Sequence, residues 1–259
     1  MKKINKIILY IFYTSLFITP WMHGLELLYE IMFFGMTITL LTVIQIALNP
    51  RKTKKAIIRY RYIIIAIAML VAYQWTKLTP GLDGFSTINM SASYLSNLKL
   101  TIFFVYFFLN TLLISNKKIA NEVVLIIIVS ATLNSTYSLL NHYWNGAFEI
   151  ISAIEPYGVI WENEVRGTFS YKNHYASYLS IIILLSFWKI EQETNKFTGR
   201  YITLVIFLAL LFFTLIKTGS RGATIALIST ISIIIFINFK HNLRYNLYNN
   251  RIKYISVMT

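Results

Sequence analysis

Two short polar motifs, each at the start of an apolar run, carry the residues best suited to chemistry. The first is GTFSYKNHYASYL, from Gly167 to Leu179, and the second is KTGSRGA, from Lys217 to Ala223. Each precedes a run of about the length that crosses a bilayer. Each motif is therefore predicted to form the N-terminal end of a membrane helix, called its mouth below. Cations, amides and small residues at such a mouth are where a membrane protein can bind a ligand or perform a reaction.

The second motif predicts a site for an anion. Ser220 can cap the following helix, which leaves Arg221 in the first turn between Gly219 and Gly222. Free backbone N–H groups and the positive end of the helix dipole favour an anion there, and the glycines let it approach the backbone. Arginine matches phosphate oxygens with a planar fork of donors, and Lys217 lies four residues earlier. The alternative is that Arg221 only extends to lipid phosphate at the interface.

The first motif places more cations and an amide at a second mouth. Ser170 can cap the helix, Asn173 falls in its first turn, and Lys172 and His174 flank that amide, with Arg166 a few residues before. His174 is a candidate base or phosphate donor. The alternatives are that His174 only packs at the interface and that Asn173 only hydrogen-bonds at the helix end.

Composition places the chain in a membrane. It has 259 residues, 56% of them hydrophobic and 13% charged, and a mean hydropathy of +0.59, which is far more apolar than a soluble domain. The chain contains no cysteine, which excludes disulfides and zinc-thiolate sites, and its histidines lack metal-ligand spacing. The net charge of +14 is dispersed among apolar runs, so nucleic-acid binding is not predicted.

Apolar runs predict eight membrane spans in an all-α, polytopic fold. The spans are residues 7–22, 27–48, 62–76, 98–115, 123–140, 171–188, 201–216 and 221–239. The basic N-terminus lacks a signal-peptide cleavage site, so the first run is predicted to be an uncleaved span. With the N-terminus in the cytoplasm, 18 of the 24 basic residues lie inside, as the positive-inside rule requires. Both motifs then face outward.

The long outer loops, 77–97 and 141–170, offer weaker signals. The second loop holds four glutamates, and its tyrosines and tryptophans are predicted to anchor at the interface: Tyr143, Trp144, Tyr157 and Trp161. Glu26 and Glu30, spaced i and i+4, could form an acid/base pair but are also favourable at a helix start.

At the two motifs the sequence resembles the O-antigen ligase and polymerase-like superfamily of bacterial inner-membrane proteins. In that family a G-T-F-x-N-R-N-H-F-A-x-Y-L-like segment opens one span and an S-R-G segment opens a later one. Tyr171 stands where the family often has asparagine, and Lys172 where it often has arginine. The matching residues are Gly167, Thr168, Phe169, Asn173, His174, Tyr175, Ala176, Tyr178, Leu179, Ser220, Arg221 and Gly222.

The resemblance implies a single integral-membrane domain over residues 1–259 with a glycosyltransferase C-like fold in the bacterial inner membrane. It implies transfer or polymerisation of a glycan from undecaprenyl pyrophosphate to a lipid or glycan acceptor on the periplasmic side, with no nucleotide sugar, metal or other cofactor. Arg221 would be catalytic by stabilising the pyrophosphate leaving group. The substrate-binding residues would be Arg166, Lys172, Asn173, His174, Lys217 and Ser220.

Members of that family commonly continue after S-R-G with a large periplasmic loop and further spans, where a histidine and another arginine act on the acceptor. This chain ends at Thr259, so the resemblance predicts a truncated member that lacks the acceptor half. Two alternatives stay open: an inactive truncated protein, and a membrane transporter of a small anion or solute, which would need ionisable groups or broken helices near the bilayer midplane.

Overall fold

The computed structural model describes residues 2–22, 28–78, 90–114, 116–144, 165–169, 171–193 and 198–236. Within these ranges the regular secondary structure is helical. A short 3-10 helix, Thr19–Trp21, follows the first α-helix. The α-helices are α1 Lys2–Ile18, α2 Leu28–Leu48, α3 Pro50–Thr76, α4 Met90–Leu113, α5 Lys117–Tyr143, α6 Lys172–Glu191, α7 Gly199–Lys217 and α8 Arg221–Phe236.

Each predicted span coincides with a helix, which confirms the all-helical architecture. Among the described residues, five helices are long and apolar enough to cross a membrane by length and composition: α2, α3, the part of α4 from Ser93 to Leu113, α5 and α7. The described part of α8 is shorter, and α1 has 17 residues. That eight helices cross the membrane therefore stays a prediction, as does the glycosyltransferase C-like class.

Several helices begin before the predicted spans, and α3 and α4 begin furthest ahead. Helix α3 begins at Pro50 rather than residue 62, and α4 begins at Met90 rather than residue 98. Proline is favoured at the first helical position because its missing N–H has no partner there in any case. The lysines and arginines that follow Pro50 are good helix formers, so the basic segment continues the helix that the apolar run requires.

The helices fall into two compact units, and the first holds α1 to α4 with the first part of α5, up to Asn134. Its core is formed by apolar side chains of α1, α2, α4 and α5, including Phe12, Ile38 and Leu109, which are fully buried. Gly35 lets α2 approach α4 closely, because a Cβ at this position would lie 2.5 Å from Cδ1 of Ile102. Burial of apolar surface between helices and close backbone approach therefore hold this unit together.

The end of α1 is held by polar side chains of α5. Pro20 lacks an N–H and interrupts the helix, and the last carbonyls of a helix need other donors. The Ser130 hydroxyl donates to the carbonyl of Phe17 at 2.6 Å. The Pro20 carbonyl accepts a hydrogen bond from the Thr168 hydroxyl, which in turn accepts from Nδ2 of Asn134 at 2.8 Å. These residues are buried or nearly so, and hydrogen bonding offsets the cost of burying them.

The second unit contains the remainder of α5, residues 165–167 before α6, and helices α6 to α8, whereas Thr168 belongs to the first unit. Helix α6 packs on α7 through buried apolar residues that include Leu179, Ile183, Leu211 and Leu215. At the far end of this pair, Oε1 of Glu193 lies 3.4 Å from Nζ of Lys189 and 3.3 Å from Nε of Arg200. The carboxylate of Glu193 therefore forms ion pairs with both the buried ammonium of Lys189 and the exposed guanidinium of Arg200.

Candidate functional site

All seven predicted site residues lie in the second unit, and a tight turn displays one of them, Arg221. Helix α7 ends at Lys217. The N–H of Thr218 donates to the carbonyl of Thr214 at 3.0 Å, and the N–H of Gly219 donates to the carbonyl of Ile216 at 3.1 Å. Gly219 has a φ of +65°, the left-handed conformation that commonly ends a helix and that glycine adopts without steric cost.

Helix α8 begins one residue after this turn. The carbonyl of Ser220 accepts hydrogen bonds from the N–H of Thr224 at 3.2 Å and from its hydroxyl at 2.9 Å. Ser220 is buried, whereas Arg221 and Gly222 are exposed. A Cβ placed on Gly219 or Gly222 would meet nothing within 4 Å. The first turn of α8 is therefore open to a bulky ligand on both sides of the arginine.

Electrostatics at this turn favour an anion. The first N–H groups of a helix lack intrahelical acceptors, and the helix dipole places partial positive charge at the same end. The guanidinium of Arg221 adds a full charge with paired donors that suit phosphate oxygens. The arrangement can bind a phosphate or pyrophosphate group and stabilise negative charge on it.

Lys217 is displayed beside this turn but contacts aromatic rings. Its Nζ lies 5.5 Å from the ring centroid of Tyr143 and 5.6 Å from that of Phe213. Such cation–π contacts hold an ammonium group over the ring faces. Three residues separate α7 from α8, so the turn after Lys217 is tight. Direct binding of an anion by Lys217 stays a prediction.

The first motif also turns at a glycine with positive φ. Gly167 has a φ of +60° and is buried, and its N–H donates to Oγ of Ser138 at 2.9 Å. Arg166, just before it, is partly buried. Ser170, the predicted cap of α6, lies outside the described residues, and the cap position belongs instead to Tyr171, whose extended backbone precedes the first helical residue, Lys172.

The mouth of α6 displays the predicted amide and imidazole. Asn173 and His174 are exposed and Lys172 is partly exposed. The His174 ring packs edge-on against that of Tyr171, with centroids 5.4 Å apart. The carbonyl of Asn173 accepts a hydrogen bond from the Ser177 hydroxyl at 2.9 Å. The predicted binding residues of this motif therefore share one exposed helix end.

Two serines on α5 hold the first motif in place, although the two motifs did not indicate them. Oγ of Ser138 accepts from Gly167, and Oγ of Ser135 lies 3.1 Å from the hydroxyl of Tyr175, which is fully buried. Ser135 and Ser138 are three residues apart and therefore lie on one side of the helix. The signal that could have found them is the run of small polar residues in the otherwise apolar α5.

A hydrogen bond links the helices that carry the two motifs. The hydroxyl of Ser180 on α6 donates to the carbonyl of Ala176 at 2.9 Å and lies 3.4 Å from the carbonyl of Ala223 on α8. The first turn of α8 therefore lies against the side of α6, about two turns after α6 begins. The structure thus brings the helix that displays Arg221 beside the helix that displays Lys172, Asn173 and His174.

Known proteins give no further guidance. No protein-family model, curated protein or solved structure matches this chain. The candidate site thus depends on the motifs and on the geometry of the second unit. Among the described residues no group of histidine, aspartate and glutamate side chains is suited to hold a metal ion. The acids of the long outer loop and Glu26 lie outside the described ranges.

Proposed function

We propose that the protein binds an undecaprenyl-pyrophosphate-linked glycan through Arg221 and takes part in its transfer or polymerisation, as O-antigen ligases and polymerases do. The acceptor would be a lipid or a glycan, and the process would belong to cell-surface polysaccharide biosynthesis at the outer face of the bacterial inner membrane. The observation that carries the proposal is the exposed guanidinium at the first position of α8, beside a left-handed glycine and open on both sides.

The proposed role of Arg221 is to neutralise the charge that develops on the pyrophosphate when the glycosidic bond to the carrier breaks. A donor that is already oriented towards the departing oxygen costs no reorganisation at that moment. His174 would accept or donate a proton near the reacting group, and Lys172, Asn173 and Arg166 would orient the carrier. Ser220 would hold the turn, and Lys217 would add positive charge near it.

The positions of charges favour a head-group site over a transport path. In α6, α7 and the described part of α8, acidic, basic and histidine side chains lie only in the first and last turns: Lys172, His174, Lys189, Glu191, Arg200, Lys217 and Arg221. A transporter of a small anion is expected to carry ionisable groups near the midpoint of its helices. The central turns of these three helices are instead apolar or weakly polar.

Binding of the carrier tests the proposal directly. We expect purified protein to bind undecaprenyl pyrophosphate more tightly than undecaprenyl monophosphate, because the second phosphate adds charge-assisted hydrogen bonds. Arg221→Ala should weaken binding of the pyrophosphate by about tenfold or more, and Arg221→Lys by less. Fluorescence titration in nanodiscs gives these dissociation constants. Arg200→Ala is the matched control, because Arg200 is exposed at the other end of α7.

The cellular consequence is loss of surface glycan. Arg221→Ala in the encoding gene should abolish the glycan on a stained gel while Arg200→Ala leaves it intact, with protein level measured by immunoblot. Normal glycan at normal protein level in the Arg221→Ala strain would overturn the proposal. Uptake of a labelled anion into proteoliposomes that disappears in the same variant would favour the transporter instead.

A further inference from the structure

Helix α3 begins with an exposed basic face. Six cations occupy its first twelve residues, and all six are exposed. At about 100° per residue they fall within roughly half of the helix circumference. Thr53 and Ala56, which lie in the other half, are buried. The basic face comprises Arg51, Lys52, Lys54, Lys55, Arg59 and Arg61.

This charge is not balanced from within the same stretch of chain. Residues 49–76 contain neither aspartate nor glutamate. The guanidinium of Arg59 lies 5.5 Å from the ring centroid of Tyr60, and that of Arg61 lies 4.6 Å from that of Tyr62 and donates to its hydroxyl at 2.7 Å. Tyrosines at the ends of membrane-spanning helices are enriched at the level of lipid head groups. The basic face therefore ends where the interface is expected to begin.

The rest of α3 is apolar and is exposed within the described part of the chain. None of the 18-residue window that qualifies it as a span is buried, whereas half of the corresponding window of α5 is. Polar contacts to α4 are made at the far end of α3: Nε1 of Trp75 donates to the Thr101 hydroxyl at 2.9 Å, and Nδ2 of Asn97 donates to the carbonyl of Gln74 at 2.8 Å. Most of the helix therefore offers its surface to lipid.

A hydrogen bond brings the start of α1 to the start of α3. Nδ2 of Asn49, just before α3, donates to Oδ1 of Asn5 at 3.0 Å. Lys6, next to Asn5, is exposed. The first turn of α1 therefore adds at least one more cation beside the basic face.

We propose that the basic face binds the phosphate groups of anionic glycerophospholipids, such as phosphatidylglycerol, in the leaflet in which α3 begins. Clusters of four to eight cations directly beside a membrane span attract anionic head groups. The neighbouring apolar surface lets the acyl chains of the same lipid pack along α3. A nucleic acid or an acidic protein would leave that apolar surface unused. The inference does not depend on the carrier site, which is built from other helices.

Lipid titration tests this inference. Native mass spectrometry of the purified protein gives apparent dissociation constants for phosphatidylglycerol and for zwitterionic phosphatidylcholine. We expect tighter binding of phosphatidylglycerol. Lys54→Gln with Lys55→Gln should weaken that binding by about fivefold for each cation removed at low ionic strength. Binding of phosphatidylcholine should not change, and high salt should reduce the difference between the two lipids.

The matched control is Lys117→Gln with Lys118→Gln, which removes two adjacent exposed lysines from the start of α5. Lys54→Arg with Lys55→Arg, which keeps the charge, should retain phosphatidylglycerol. If the protein with Lys54→Gln and Lys55→Gln does not elute as folded protein, Arg59→Gln with Arg61→Gln is used in its place. Equal affinities for the two lipids in the unmodified protein, or an equal loss in the α5 control, would overturn the inference.

Discussion

Gly219 and Gly222 stand on either side of Ser220 and Arg221, but their backbones have different requirements. Gly219 has a φ of +65°, where a β-carbon collides with the backbone and an L residue is strained by about 1 to 2 kcal/mol. Gly222 lies in the first turn of α8, where alanine is favourable. Neither position lacks space, because a Cβ at either one meets nothing within 4 Å. The difference between them is therefore conformational.

This pair gives a prediction about stability. Gly219→Ala should lower the free energy of unfolding by about 1 to 2 kcal/mol, whereas Gly222→Ala should leave it unchanged or raise it slightly. Thermal unfolding of both purified variants in the same detergent measures the two effects. Equal midpoints would contradict the assignment of a left-handed turn at position 219.

Helices were predictable from the sequence where apolar runs are long, and the eight predicted spans each coincide with one. The start of α3 was placed too late because hydropathy alone does not register that cations continue a helix. The start of α4 was placed too late because residues 90–97 are rich in serine and asparagine, which are typical of turns. The mouths of α6 and α8 were found from their motifs. The residues that hold the first motif were not found in this way. Ser135 and Ser138 acquire their role only when α5 packs against the segment that contains Gly167 and Tyr175.

The contact between Ser138 and Gly167 gives a prediction about how α5 holds the segment before α6. Ser138→Ala would leave the buried N–H of Gly167 without this acceptor, so we expect a loss of about 1 to 3 kcal/mol of stability. Ser177→Ala is the control, because Ser177 is exposed and bonds only within its own helix turn in the described contacts. Thermal unfolding should separate the two variants. Indistinguishable midpoints would show that Ser138 does not hold the segment.

The distribution of charge along the whole chain predicts its orientation in the membrane. Most basic residues fall in segments that the positive-inside rule places in the cytoplasm, and the mouths of α6 and α8 then face outward. The proposed carrier site requires that orientation, because under the proposed function a lipid-linked glycan would be transferred on the periplasmic side. The basic face of α3 would lie in the opposite leaflet.

The absence of cysteine makes this orientation directly measurable. Asn173→Cys should react with a membrane-impermeant maleimide added to spheroplasts, and Lys54→Cys should react only after the membrane is opened. Both positions are exposed, and the unmodified chain provides an unlabelled background. Labelling of position 54 from outside, with position 173 protected, would place the candidate site in the cytoplasm and contradict the proposed function.

The left-handed glycine after α7 also restricts how this turn can evolve. Besides glycine, asparagine, aspartate and histidine are the residues that best tolerate positive φ, and no single-nucleotide change turns a glycine codon into one for asparagine or histidine. Aspartate is within one step, but it would bring a carboxylate next to the residue proposed to hold a phosphate. Single-nucleotide substitutions at codon 219 therefore either strain the backbone or repel the ligand. In a mutational library, variants at position 219 should be strongly depleted.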